Sequence, residues 1–233
     1  MATAGRDPGG RAPAPGSLRL VQALVNTLSV EFERDLLGTR ETAAAWLTAA
    51  GLLPADSAAA VEPAPAVEPA PAVEPALAVE PALSAAEHAA LLELREAIRA
   101  MLAAHTSQAA DPAAADRLTR ALATSRLAVT ARPDGGMSLA SADHDPFSRA
   151  LGAVAVAIAE AAVAGTWTRL KSCPGHLCGW AFYDRSAAAR SRWCSMQLCG
   201  ARAKMRTYRA RYYPRPVSPP RAAGPARTAG GQR

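Results

Sequence analysis

Four cysteines fall in the last third of the chain as two close pairs. Cys173 and Cys178 form a C-x4-C unit, and Cys194 with Cys199 forms a second after fifteen intervening residues. Zinc takes four soft ligands at tetrahedral corners, and each pair supplies one edge of that figure. Such a shell is closed, with no position left for water or substrate, so the expected role of the single zinc ion is structural. A segment of about 45 residues with little apolar bulk draws much of its folding energy from the metal. His176 lies inside the first pair and is the alternative ligand. A redox pair fits less well, because neither unit has the C-x-x-C spacing.

The charge around these cysteines is segregated. Residues 168–215 hold 11 Lys and Arg against one acid, Asp184, whereas residues 1–167 hold 12 basic and 19 acidic side chains. The overall charge of +6 hides this division. A basic module joined to an acidic domain points to a polyanionic partner. After Cys199 a helix is predicted from about Gly200 to Tyr212. Ala201, Met205, Tyr208 and Tyr212 then form an apolar stripe, with Arg202, Arg206 and Arg209 on the adjacent one and Lys204 and Arg211 at a further edge. With Arg190 and Arg192 just upstream, these are the candidate nucleic-acid contacts. The alternative is a solvated surface helix. Trp180, Phe182 and Tyr183, with Trp193, are read as a small core around the metal. Asp184 and Ser186 are expected to cap a turn or helix through Arg190.

These parts need a scaffold. Alanine fills 59 of 233 positions and aromatic residues make up 5%, so the core rests on relatively few large side chains. Leu20, Val21, Leu24, Val25 and Leu28 recur at helical spacing. Thr39 is placed to cap a helix over Arg40–Ala50, with Trp46 and Leu47 as anchors and Gly51 as its stop. Ser84 and Glu87 make a capping box for a helix bearing Leu91, Leu94, Ile98 and Leu102. A shorter helix is expected over Ala113–Ala123. Leu127–Thr130, the turn Pro133-Asp134-Gly135-Gly136 and Met137–Ala140 read as a hairpin. Pro146 opens a long alanine-rich helix that ends near Gly165.

Two tails and a spacer complete the chain. Residues 1–16 and 214–233 are expected to be disordered. Residues 55–83 form a spacer in which VEPAPA recurs, with Val at 61, 67, 73 and 79 and Glu at 62, 68, 74 and 80. Proline at this density excludes a helix and favours polyproline II. The reading is thus α+β, mainly α: a helical domain over 17–166 with a small hairpin, then a four-cysteine zinc finger over 167–213 with a basic C-terminal helix.

Several classes are set aside on the same grounds. The apolar run from Leu151 to Gly165 contains Glu160 and is too short and too weakly apolar for a bilayer span. The first residues lack the apolar core of a secretory signal. The expected location is cytoplasmic, where four cysteines favour metal over disulfides. No nucleophile-elbow, H-E-x-x-H, phosphate-loop or zinc-deaminase pattern occurs, and His88, His105 and His144 are scattered, so no enzyme is expected. No heptad seam predicts an oligomer.

The stretch from Cys173 to Lys204, CPGHLCGWAFYDRS followed by RWCSMQLCGARAK, resembles the CGNR zinc finger. Upstream, Leu24–Thr27 (LVNT), Arg34–Leu37 (RDLL) and Ala44–Leu52 (AAWLTAAGL) resemble the ABATE domain that normally precedes this finger. The resemblance covers about 18–53 and 84–212. It implies Cys173, Cys178, Cys194 and Cys199 as zinc ligands and a bacterial stress-induced transcription regulator; the basic residues of the finger make DNA the expected partner, with RNA or protein as the alternative. It also implies an input through the helical domain, a small-molecule effector, for which Asn26 and Arg34 are the polar residues to test. The competing reading is that Asn26 caps or bridges backbone in the core. Two positions depart from the family: Ala201 stands where the signature has Asn, and Ala187-Ala188 stand where a basic residue and Asn follow D-x-S. Alanine offers no hydrogen-bonding group there, so metal binding is expected to survive while base readout by those positions is not.

Overall fold

The structure, a computed structural model, describes residues 10–54 and 83–212. The expectations for residues 1–9, for the proline spacer up to residue 82 and for the C-terminal tail lie outside the described residues. Among the described residues the fold is α+β and mainly helical, with three separate two-stranded antiparallel sheets.

Helix α1 (Leu18–Val25) buries Leu18, Val21, Leu24 and Val25 and ends at Asn26. Strands β1 (Leu28–Ser29) and β2 (Arg34–Asp35) follow as a tight ribbon. Helix α2 (Arg40–Ala49) starts at Thr39, whose hydroxyl accepts from the Thr42 N–H in a reciprocal capping box. Helix α3 (Ala85–Ser107) opens on the predicted Ser84–Glu87 box and is the central strut, burying Leu91, Leu94, Ile98 and Leu102. Helix α4 (Pro112–Leu122) is capped by Asp111. Strands β3 (Leu127–Ala131) and β4 (Met137–Ser141) form the predicted hairpin with Val129 opposite Leu139. Asp145 caps helix α5 (Pro146–Val163), with Pro146 in the first turn.

Helices α1, α3 and α5 surround the main core, and Leu53 and Leu83 are both buried in it. The chain therefore leaves this core just before the proline spacer and re-enters it just after. By length and composition alone α5 would span a membrane, but 56% of it is buried inside the protein. The segments around Thr27 and Asp35 meet at the guanidinium of Arg95, a residue that is 4% exposed. Arg95 donates to both Asp35 carboxylate oxygens, at 2.6 and 3.0 Å, and to the Thr27 hydroxyl. Burial raises the Asp35 pKa, but its bonds to Arg95 and the Leu37 N–H outweigh that and leave it below the ordinary carboxylate value.

One expectation needs correction. Residues 10–16 belong to the folded unit rather than to a disordered tail. Ala14 is buried, and its N–H donates to the buried Gln22 side chain at 2.6 Å. The Gly/Pro composition that suggests disorder does not register a few specific polar anchors.

Candidate metal centre and basic helix

Strands β5 (Leu170–Ser172) and β6 (Ala181–Tyr183) form the hairpin on which the cysteine site is built. Cys173 follows β5 directly, and its N–H donates to the Trp180 carbonyl at 2.9 Å, extending the ladder by one pair. Between them the chain makes a tight knuckle closed by the Cys178 N–H on the Gly175 carbonyl. A Cβ at Gly175 would sit 2.9 Å from the Cys199 sulfur, so only glycine lets the knuckle approach the second pair. That pair spans a wide turn, Met196–Gly200, in which the Ser195 hydroxyl accepts from the Leu198 N–H and the Gly200 N–H returns to the Ser195 carbonyl.

All four cysteines are buried, and their sulfurs lie within 4.8 Å of one another. The Cys178–Cys194 and Cys194–Cys199 separations are both 3.7 Å. A zinc–sulfur bond of about 2.3 Å at tetrahedral angles gives an S···S edge of about 3.8 Å. The donor set and its size thus fit zinc. His176 is exposed and stands outside the group, which removes it as a ligand. Sulfurs this close cannot all carry charge by themselves. Hydrogen bonds from Cys178 and Cys194 draw the Cys173 thiol down to about 2, while its partner Cys178 is pushed up to about 12. Cys194 is raised by its bonds to Cys173 and Cys178, and Cys199 chiefly by burial. A divalent cation among them removes this conflict by stabilising all four thiolates.

The two faces of the β5–β6 hairpin serve two cores. Leu170, Ala181 and Tyr183 belong to the helical core, whereas Phe182, Trp180 and the cysteines form a second cluster. Alternation along short strands produces this division. Both outer edges of the hairpin are closed by side chains of the helical domain. On the β6 edge, Asn26 accepts from the Ala181 N–H at 2.7 Å and donates to the Ala181 carbonyl at 3.0 Å, joined there by Gln22 at 3.1 Å. On the β5 edge, Thr106 donates to the Ser172 carbonyl at 2.7 Å, and His105 Nδ1 lies 2.9 Å from the Leu170 carbonyl. Arg99 spans from the Val25 carbonyl to the Gly179 carbonyl at the knuckle, 2.8 Å from each.

The loop between β6 and Cys194 is organised by a buried ion pair. Lys171 Nζ donates to Asp184 at 2.9 Å and to the Ala189 and Ser191 carbonyls. Asp184 also accepts from the Ser186 N–H and hydroxyl and the Ser191 N–H. Burial would raise the Asp184 pKa, but the bonds from Ser186 and Lys171 more than offset it and hold the carboxyl well below its usual range. The expected Asp184–Ser186 cap is therefore a turn, and no helix forms through Arg190.

Helix α6 (Ala201–Tyr212) begins directly after Cys199-Gly200. None of its residues is buried. The metal-side end holds it, and the rest projects. Arg190, Arg192, Arg202, Lys204, Arg206, Arg209 and Arg211 are all exposed. Arg202 is tied to Glu31 at 2.7 Å. The predicted stripe forms but covers no core: Met205, Tyr208 and Tyr212 are about half exposed, and the two tyrosine rings stack at 4.7 Å. Ala187, Ala188 and Ala201 also face solvent. Trp180 and Phe182 are the expected aromatics of the metal-side core, with Trp193 packed against it, whereas Tyr183, expected there, is buried in the helical core. Arg34 is exposed on β2, while the Asn26 amide is committed to Ala181.

Sequence reasoning missed the residues that fasten the finger to the helical domain. Arg11 donates to the Cys194 carbonyl at 2.7 Å and the Trp193 carbonyl at 3.1 Å, with its guanidinium 4.9 Å from the Phe182 ring centre. Arg185 reaches back to the Pro13 carbonyl. No local pattern marks an arginine in a Gly/Pro-rich segment as a partner for residues about 180 positions away. Gln22 and Thr106, polar residues on the buried faces of α1 and α3, were the available signal for the hairpin contacts.

A family model described as "ABATE: Putative stress-induced transcription regulator" matches residues 18–165, and the CGNR zinc finger model matches residues 169–212. None of the curated proteins matches the chain.

Proposed function

The chain belongs to the ABATE family and carries a CGNR zinc finger, and on that premise we propose that it is a cytoplasmic regulator of transcription that binds DNA through the finger. The observation that carries this reading is the projection of α6, with no buried residue, from the end of the cysteine cluster, bearing five cations, with Arg190 and Arg192 in the preceding loop. A basic helix held at one end and open to solvent on its remaining sides is suited to phosphate contact and to a groove. The helical domain, gripping both edges of the finger's hairpin, is the route by which an effector would bias the finger's position. Four thiolates leave a zinc ion no open site, which favours a binding role over a catalytic one.

If about six cations neutralise phosphates, log affinity falls with log salt at a slope near −5. A slope shallower than about −2 defeats this reading. Selection from random duplexes by zinc-loaded protein at about 150 mM salt then separates two forms of it. An enriched motif means base readout; uniform binding means a grip on phosphates alone, in line with alanines at 188 and 201. A second reading, single-stranded RNA, draws on the exposed Tyr208–Tyr212 stack, since aromatic faces stack on unpaired bases. Tyr208→Leu with Tyr212→Leu would then lower RNA affinity about tenfold or more without changing duplex DNA binding.

A further inference from the structure

The β3–β4 hairpin stands apart from the finger and has no place in the proposed DNA contact. Its ladder fixes which way each backbone group points. The Ala142 N–H donates to the Arg126 carbonyl at 2.8 Å and the Arg132 N–H to the Gly136 carbonyl at 2.7 Å. Even-numbered positions of β3 therefore face β4. Leu127, Val129 and Ala131 direct their N–H and C=O groups outward, because pairing alternates along an antiparallel strand. Among the described residues, no strand pairs with that edge. Two of the three side chains there are large, apolar and open: Val129 is 65% exposed and Leu127 41%. The same face lies against α5 at its other end, where a Cβ on Gly152 would collide with Ser141, so the overhang beyond the helix is what remains uncovered.

Natural edge strands are usually blunted by lysine, proline or a bulge. The strand LAVTA has none of these. We propose that this edge is a homodimer interface, in which β3 pairs antiparallel with β3 of a second copy about a twofold axis through Val129. The strand is self-complementary in that register. Val129 faces the partner's Val129, and Leu127 faces the partner's Ala131, so all outward groups are used in about six hydrogen bonds. Arg126 would face the partner's Arg132, but each arrives already neutralised in its own chain, by Asp143 at 3.0 Å and Asp134 at 2.9 Å. A five-residue edge of this kind, neutral and apolar at its centre, fits another copy of itself better than a charged partner. Two joined hairpins give a four-stranded sheet, past the marginal stability of a two-stranded one.

Sedimentation velocity on the zinc-loaded full chain tests this over about 1–100 μM, the range in which a small edge contact is expected to dissociate. The expected result is a monomer–dimer equilibrium that Val129→Lys weakens about tenfold or more. Its fold and zinc content stay unchanged, since this side chain is mostly in solvent. Val129→Cys should give a disulfide-linked dimer under mild oxidation, because directly opposed hydrogen-bonded residues have Cα atoms about 5.5 Å apart. Thr130→Cys, opposite the partner's Ala128, should not link to itself, and neither should the unsubstituted chain. A chain that stays monomeric to about 100 μM overturns the proposal, as does a dimer indifferent to Val129→Lys. A monomer whose Val129 amide is protected from hydrogen exchange overturns it too, because the edge would then be covered by the chain itself.

Discussion

Replacing Asn26 with alanine isolates the joint between the finger and the helical domain. Ala181 is fully buried, and its N–H has the Asn26 carboxamide as its acceptor at 2.7 Å. Its carbonyl keeps a second donor, Gln22, at 3.1 Å. The substitution therefore orphans one buried donor and removes one of two bonds to the acceptor. An unsatisfied buried backbone group costs about 1–3 kcal/mol, and the shared acceptor bond adds little while Gln22 remains. The expected loss is about 1–3 kcal/mol, a fall of about 2–12 °C in Tm for a chain of this size. Urea unfolding followed by far-ultraviolet circular dichroism measures it, and zinc release to a chromogenic chelator reports the finger directly. Release should quicken, because the β6 edge that carries Trp180 and the knuckle loses its outer support. If Asn26→Ala lowers stability by less than about 0.5 kcal/mol and leaves zinc release unchanged, the bridge does not hold the joint. An effector role for Asn26 predicts that second outcome, together with a lost response to the effector.

Other perturbations follow from the same contacts. Asp184→Asn strips the carboxylate from Lys171, which is 2% exposed, and should cost about 3 kcal/mol or more, with urea unfolding as the measure. Chelation of the metal should lower the Tm of the entire chain in one calorimetric transition, since Leu170, Ala181 and Tyr183 lie in the helical core; two separate transitions would show the finger melting alone. His105 is kept below its ordinary pKa by burial, with its bond to the Leu170 carbonyl working the other way. The unfolded chain thus binds an extra proton just below about pH 6.5, so this contribution to stability is complete above that value and is lost as the pH falls through the window beneath it. Thermal melts from about pH 7.5 to 5.5 should show the decline, and His105→Asn should flatten it. Arg11→Ala should speed zinc release several-fold without altering the helical content, because its contacts are to the Trp193 and Cys194 carbonyls and the Phe182 face.

The elements legible in the sequence are those set by local chemistry. Thr39, Ser84 with Glu87, and Pro146 mark helix starts through bonds made within one turn, and the structure has each of them. The cysteine pairs are legible because metal geometry restricts ligand type and spacing. Long-range commitments are not. Arg11 sits in a segment whose composition argues for disorder, and the chemistry that orders it, two carbonyls and a ring face, lies at the far end of the chain. Met205 and Tyr208 show the opposite failure: helical spacing predicts a stripe, but spacing cannot say whether anything packs on it. Asn26 is intermediate. A polar residue closing an apolar helix signals a role, and only the position of β6 makes it a bridge to backbone.

The burial of Leu53 and Leu83 in one core bears on how this gene can change. The repeat between them is built of near-identical hexamers, and tandem repeats of this kind change by gain or loss of whole units. Because both ends are anchored, one more unit lengthens only the connection between fixed points. For a connection that behaves as a flexible loop, the closure entropy grows with the logarithm of length, and an added hexamer then costs about 0.2 kcal/mol. Copy number is therefore nearly invisible to folding. Strains differing in the number of VEPAPA units should share the same domain, the same metal site and almost the same melting temperature, and selection on repeat number can act only through something other than stability.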